Sequence, residues 1–193
     1  MRAIDAAGNA SVSSNVVNVT TLEDTTPPTG SAIVYQGFEG TSKDTWNYTN
    51  SPVNCTNGSD VWDIVTSVGS ISSANTDSNF FGIRDLDGNC GSSDGGTIAF
   101  ESVDISNYTD VTLSFAVNVV GYDVANGDVI SYEVFQDGTS QGVVTITDVS
   151  PYSTNGWVNI EETIPDAANS ISFTISVKPV SYTHLTLPTK RIV

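Results

Sequence analysis

Oxygen-bearing side chains alternate in the loop after the segment Phe80–Arg84. Asp85, Asp87 and Asn89 place two carboxylates and one amide within five residues. Alternate oxygen ligands in a loop can point at one centre, and Ca²⁺ prefers carboxylate and carbonyl oxygens. The motif is not an EF-hand, because no helical pattern flanks it. We predict either a structural calcium site here or a turn whose Asp and Asn side chains bond to the backbone.

Two aromatic residues stand in a polar segment where they could stack on sugar rings. Trp46 and Tyr48 are surrounded by Lys, Asp, Thr and Asn. Stacking on a sugar requires an exposed flat ring beside hydrogen-bonding groups. We therefore predict that Trp46 and Tyr48 are ligand-binding residues, whereas Trp62 and Trp157 fall in strand patterns and are expected in the core.

The chain has two cysteines, Cys55 and Cys90, both in loops rich in Asn and Gly. An even pair in a secreted chain favours a disulfide, with two free thiols as the alternative. A zinc site would need more Cys or His ligands than this sequence supplies.

No pattern of catalytic residues stands out. Glu161 and Glu162, or Asp60 and Asp63, could form a pair of carboxylates of the kind used by glycosidases. With 22 acidic residues in the chain, however, such pairs arise from composition alone. Serine-nucleophile motifs and phosphate-binding glycine loops are absent from the sequence. We expect a protein that is not an enzyme.

The charge is strongly acidic. The sequence carries 22 Asp and Glu against 6 Lys and Arg, a formal net charge of −16. Such a surface repels phosphate backbones and anionic lipid, so no nucleic-acid partner is expected. It suits calcium, although acidity can also serve solubility alone. No apolar run is long enough to span a bilayer, so we expect no membrane insertion.

Apolar and polar residues alternate with a period of two through most of the chain. Ile171, Phe173 and Ile175, for example, alternate with Ser and Thr, as in a strand with one buried face. The sequence predicts a two-sheet antiparallel β-sandwich of jelly-roll type. The predicted strands are Ile33–Phe38, Val61–Val65, Phe80–Arg84, Thr97–Val103, Val111–Val120, Val129–Phe135, Val143–Val149, Trp157–Ile164 and Ile171–Val177.

Residues 1–21 read MRAIDAAGNASVSSNVVNVTT, a strand, an Ala-Gly-Asn turn and a second strand. This stretch resembles the last hairpin of a bacterial fibronectin type III domain, and immunoglobulin-like repeats have a similar turn. The resemblance implies a truncated remnant of such a domain. Residues 22–32, rich in Thr and Pro, are predicted to be an extended linker.

Residues 33–178 carry four further motifs: FEG at Phe38–Gly40, DVWDIV at Asp60–Val65, FFGIRDLDG at Phe80–Gly88 and YEVFQDGTSQG at Tyr132–Gly142. Together they resemble a jelly-roll module of secreted bacterial multidomain proteins, similar in layout to carbohydrate-binding and MAM-type modules. The resemblance implies that Glu39 is a further calcium ligand. It also implies a closing last strand, which we expect to be missing, leaving an unpaired edge.

The tail is unusual. Residues 180–189 read VSYTHLTLPT, which resembles the translated read-through of a common transposase sequencing adaptor. We therefore predict that residues 179–193 are an artefact outside the fold. The only histidine, His184, lies in this tail, so no histidine-based chemistry is expected.

Taken together, these features predict a non-catalytic accessory module of a secreted or cell-surface bacterial protein whose signal peptide was lost by truncation. Its expected partner is a polysaccharide or a cell-surface component, together with neighbouring domains of the intact chain. The alternative is a structural spacer or adhesin repeat with at most a structural calcium ion.

Overall fold

The computed structural model describes residues 32–86, 90, 95–122, 127–147, 152–178, 184–187 and 190–192. The predicted fibronectin-like remnant and nearly all of the linker lie outside these residues. Within the described part the secondary structure is β throughout, and the strands, in chain order, are β1 Val34–Gln36, β2 Tyr48–Ser51, β3 Cys55–Asn57, β4 Asp60–Val65, β5 Phe80–Arg84, β6 Gly96–Asp104, β7 Thr112–Val120, β8 Val129–Gln136, β9 Thr139–Thr145, β10 Val158–Thr163, β11 Ser170–Lys178, β12 His184–Leu187 and β13 Lys190–Ile192. No helix there is long and apolar enough to cross a membrane.

The strands form two antiparallel sheets. The large sheet has eight strands in the order β1-β13-β7-β12-β5-β4-β3, with β10 on the other edge of β7. The small sheet has five strands in the order β2-β6-β11-β8-β9. Few sheet neighbours are consecutive in the chain, so the chain crosses repeatedly between the sheets. The prediction of a jelly-roll β-sandwich is confirmed.

Rings from the two sheets meet in one core. Phe115 of β7 lies 4.8 Å from Phe173 of β11 and 5.1 Å from Tyr132 of β8, measured between ring centroids. Phe115 and Phe173 are fully buried. Burying a large aromatic side chain stabilises a fold by roughly 3 kcal/mol, so this contact holds the sheets face to face.

The predicted strands Val129–Phe135 and Val143–Val149 leave seven residues for the loop between them, but the turn between β8 and β9 has two, Asp137 and Gly138. Asp137 and Gly138 both have positive φ, 51° and 75°, which a two-residue type I′ turn requires. The second strand therefore starts at Thr139, and it ends at Thr145. The predicted strand Val143–Val149 therefore begins too late, and its last two residues lie outside the described residues.

The tail supplies two strands to the large sheet. β12 pairs with β5 and with β7, and β13 pairs with β1 and with β7. Ile192 is fully buried in the core. The expectations of a missing last strand and of a tail outside the fold are wrong for this structure, because a short segment with apolar residues at alternate positions fills the gap between β5 and β7. The resemblance of the tail to adaptor sequence is a separate matter that stays a prediction.

Candidate binding surface

A loop covers part of the outer face of the large sheet. Val68 and Ile71, from the loop between β4 and β5, pack on Val61 and Phe80 in a second buried cluster, with Trp157 at its side. The Trp157 indole donates a hydrogen bond to the Ser73 carbonyl of the same loop, at 3.1 Å. This loop thus shields part of the outer face of the large sheet.

The outer face of the small sheet is built from short hydroxyl side chains. In β11, Ile171, Phe173, Ile175 and Val177 are buried in the core. Because side chains alternate along a strand, Ser172, Thr174 and Ser176 lie on the opposite, outer face, and all three are partly exposed. The periodicity in the sequence predicted this alternation.

The strand register brings hydroxyl groups from five strands into one row. Ser51 of β2 pairs with Thr97 of β6, Thr97 with Ser176 of β11, Ser176 with Ser131 of β8, and Ser131 with Thr145 of β9. Neighbouring strands lie about 4.8 Å apart, so the row spans about 19 Å. We call these five residues the hydroxyl row.

The next positions along the strands carry a carboxylate and an aromatic ring. Glu133 of β8 pairs with Thr174 and is bonded by the Ser140 hydroxyl. Phe135 lies two residues further on the same face and is partly exposed. Sequence reasoning missed Phe135, although its place in the alternation of β8, out of phase with Tyr132 and Val134, was a usable signal.

A groove of about 590 Å³ extends along most of the hydroxyl row. Four row residues line it, together with Gly95, Gly96, Val129, Val177 and Lys178. No carboxylate is among these residues, although the chain has 22 acidic residues. A Cβ atom on Gly96 would lie 2.4 Å from the Trp62 ring, so a glycine is required for this ring to fit beneath the groove.

The prediction that Trp46 offers an exposed ring is wrong. Its side chain is 1% exposed and packs on Phe100 at 4.9 Å. The indole donates to the Glu101 carbonyl at 2.7 Å, which satisfies its one polar group inside the fold. Polar neighbours in the sequence suggested a loop, but the backbone of Trp46 bonds to Tyr35 and turns the ring inward.

Tyr48, the second predicted sugar-binding residue, is half-buried at the start of β2. Its ring packs on Phe38, Phe81 and Phe100 at 5.3 to 6.3 Å. Burial and the nearby carboxylates of Asp44 and Asp63 raise its pKa above the usual 10.0. The phenol is therefore neutral, and its role in binding stays a prediction.

Two of the predicted calcium ligands, Glu39 and Asp85, lie in different loops of the structure. Glu39 lies in the loop after β1 and accepts hydrogen bonds from the backbone amides of Ser78 and Asn79 and from the Asn79 side chain. Asp85 is buried beyond the end of β5 and has a φ of 52°. Asp87 and Asn89 lie outside the described residues. Among the described residues no group of three or more His, Cys, Asp or Glu could hold a metal ion.

The predicted disulfide between Cys55 and Cys90 is confirmed. It joins β3 to the loop after β5 across 35 residues of sequence. In the chain-entropy account, closing such a loop stabilises the fold by about 4 kcal/mol. The Cys90 amide also donates to Asp60, so the segment after β5 is anchored beside β4.

Comparisons with known proteins give likeness in structure without likeness in sequence. No family model and no curated protein matches the chain. The solved structure of TmCBM61 in complex with β-1,4-galactotriose matches with a TM-score of 0.50 and 13% identity, over 81% of this chain and 93% of that one.

A second solved structure is the K1 cleaved adhesin domain of Lys-gingipain from Porphyromonas gingivalis W83. It matches with a TM-score of 0.50 and 15% identity, over 85% of this chain and 98% of that domain. At these identities the comparisons establish the fold alone: the chain has the β-sandwich architecture that a carbohydrate-binding module and an adhesin domain share.

Proposed function

We propose that this chain is a non-catalytic accessory module of a secreted or cell-surface protein, and that it binds a polysaccharide chain across the outer face of the small sheet. The observation that carries the proposal is the hydroxyl row, four of whose five residues line a groove without carboxylates. Sugar hydroxyls both donate and accept hydrogen bonds, as Ser and Thr hydroxyls do.

The dimensions of the surface suit an extended ligand. The row is about 19 Å long, and Phe135 lies about 13 Å from Ser131 along β8. A chain lying along the row would contact each strand in turn, and a branch or a neighbouring sugar could reach the Phe135 ring. Binding would depend on several hydrogen bonds worth about 1 kcal/mol each, rather than on one stacked aromatic anchor.

The known proteins of similar fold support this choice. The structure of TmCBM61 contains β-1,4-galactotriose, and the gingipain domain is described as an adhesin. The disulfide supports an oxidising compartment outside the cytoplasm.

The test is affinity electrophoresis of the chain in gels containing xylan, β-1,4-galactan, mixed-linkage β-glucan, alginate or polygalacturonate. We expect retardation by at least one neutral polysaccharide. Replacing Thr97 by Val removes one hydroxyl at nearly constant shape, and we expect the dissociation constant to rise about fivefold. The triple variant Thr97→Val, Ser131→Ala, Ser176→Ala should not be retarded.

The matched control is Thr112→Val, which makes the same change on β7 of the large sheet. It should bind like the unchanged chain. No retardation by any of the five polysaccharides, or equal retardation of the triple variant, would contradict the proposal and favour the alternative function, a spacer or adhesin repeat.

A structural calcium ion is compatible with a polysaccharide-binding module and with a spacer or adhesin repeat. Asp85 is 7% exposed and follows β5, and Asp60, 4% exposed, begins the neighbouring β4. We infer that an ion in this corner would be held by Asp85 with Asp87 and Asn89, whereas Glu39 is committed to the Ser78–Asn79 backbone. Calcium should raise the melting temperature of the chain and EDTA should reverse the rise. Asp85→Asn should abolish the response, whereas Asp63→Asn, on the same sheet, should keep it.

A further inference from the structure

The edge strands β9 and β10 lie on the same flank of the sandwich, and a pocket of about 100 Å³ opens between them. It is separate from the groove of the hydroxyl row and shares no lining residue with it. Its floor is apolar and includes Val134 and Ile164, which are 7% and 2% exposed. We call it the flank pocket.

A carboxylate occupies an inward position in this pocket. In β10, Val158, Ile160 and Glu162 pair with Val117, Phe115 and Leu113, the core residues of β7. The alternation of β10 therefore calls for an apolar residue at position 162, and the chain has Glu162 there, partly buried. A carboxylate between two sheets is costly unless it is hydrogen-bonded, so its presence calls for an explanation.

Tyr132 provides one hydrogen-bond partner for the Glu162 carboxylate. Its hydroxyl donates to Oε1 of Glu162 across the gap between the sheets. The Tyr132 ring is fixed by Phe115 and Phe173, at 5.1 and 5.9 Å. Burial and then the Glu162 carboxylate raise the pKa of the phenol far above its ordinary value, so it remains a donor. The pair is thus a rigid polar group at the wall of the pocket.

The remaining walls supply groups that can both donate and accept. The Gln136 and Gln141 side-chain amides line the pocket, beside the exposed Val144. An anion would be repelled by Glu162 and by the net charge of −16. An ammonium ion only donates and would not use the amide donors. A sugar ring presents hydroxyls at its edge and C–H groups on its face, which matches polar walls over an apolar floor.

We propose that the flank pocket binds one uncharged sugar ring, and that the Glu162 carboxylate accepts hydrogen bonds from the hydroxyls of this sugar. This site does not depend on the outer face of the small sheet. If both sites bind, one module can hold two chains or two points of a branched glycan, which raises avidity.

The test is amide NMR of the ¹⁵N-labelled full chain, titrated with the methyl glycosides of glucose, galactose, mannose and xylose. We expect saturable shifts of the Gly142 amide and of the Gln141 side-chain amide with at least one of them. Glu162→Gln keeps the size and an acceptor for Tyr132 but loses the charge. It should raise the dissociation constant about tenfold.

Two controls separate binding from folding and from the other site. Glu161→Gln makes the same change at the exposed neighbouring position, and Thr97→Val alters only the hydroxyl row, so both should leave the shifts intact. Val144→Trp changes a residue that is 43% exposed and fills the pocket mouth while leaving the Tyr132–Glu162 pair in place, so it should abolish the shifts. No shift with any glycoside, shifts that survive Val144→Trp, or shifts with methylammonium instead would each overturn the proposal.

Discussion

At the scale of single residues, burial decides which polar and aromatic groups are available. Trp46 is surrounded by polar residues in the sequence and lies in the core, whereas Phe135 is a large apolar residue and lies on the outer face. Glu162 shows the converse, a charge on an inward row. In each case the neighbours across the sheet determine the environment, and these neighbours are distant in sequence.

Asp137 is a residue through which the stability of the fold should depend on pH. Its carboxylate accepts hydrogen bonds from the Asn169 and Ser170 amides, at 3.0 and 2.8 Å, and from both their side chains. Desolvation raises its pKa, but the Ser170 and Asn169 bonds outweigh this and lower it below 3.8. A lowered pKa gives stability that is complete above the unfolded value and lost as the pH falls through the folded value.

We therefore expect Asp137→Asn, which retains the turn preference for positive φ, to unfold at lower urea concentration than the unchanged chain at pH 7. The difference in urea midpoint between the two chains should shrink below pH 3.8. It should vanish once Asp137 is protonated in both the folded and the unfolded state. Urea unfolding at pH 7, 4 and 2.5 measures this. Glu161→Gln corrects for the change in net charge, and a difference that is constant across pH would contradict the assignment.

At the scale of elements, the position of a strand in the sheet matters more for the integrity of the fold than the length of the strand. β12 and β13 are short, yet they lie end to end along β7 and separate it from β5 and β1. An unpaired strand edge inside a sheet leaves backbone donors and acceptors without partners. Strands added last in the chain therefore complete the large sheet.

Ending the chain at Lys178 should consequently lower the melting temperature and expose hydrophobic surface. Thermal unfolding and binding of a hydrophobic dye, each compared with the full chain, would measure the effect. A control chain that keeps the tail but carries Thr186→Val should behave like the full chain, since only a hydroxyl is lost. Equal stability of the shortened chain would show that the tail does not belong to the fold, as its resemblance to adaptor sequence suggests.

At the scale of the whole molecule, acidity and architecture act together on the choice of ligand. The net charge of −16 disfavours polyanions at any surface, so alginate and polygalacturonate should not retard the chain at low salt. Binding of a neutral polysaccharide should change little with salt, because such a ligand carries no charge for the salt to screen, even where it meets Lys178 in the groove. The loop between β4 and β5 covers part of the outer face of the large sheet, whereas the outer face of the small sheet is open. The two outer faces of the sandwich therefore differ in their access to a ligand.

Much of the architecture could be predicted from local patterns. Alternation with a period of two identified eight of the strands to within two residues at either end and, with the polar turns, the two-sheet sandwich. Cysteine count and composition were enough for the disulfide. Asp-Gly, the sequence at Asp137-Gly138, is a common hairpin signal, but the pattern did not fix the length of this turn, and β9 was misplaced as a result.

The candidate sites depended on tertiary structure. The hydroxyl row joins Ser51, Thr97, Ser131, Thr145 and Ser176, which become neighbours only through the register of five strands. The flank pocket likewise needs β8 and β10, which belong to different sheets. Period and composition are properties of adjacent residues, so the sequence by itself determined the class of fold. Register and the facing of the sheets arise from contacts between distant segments, so only the folded chain decided which side chains share a surface.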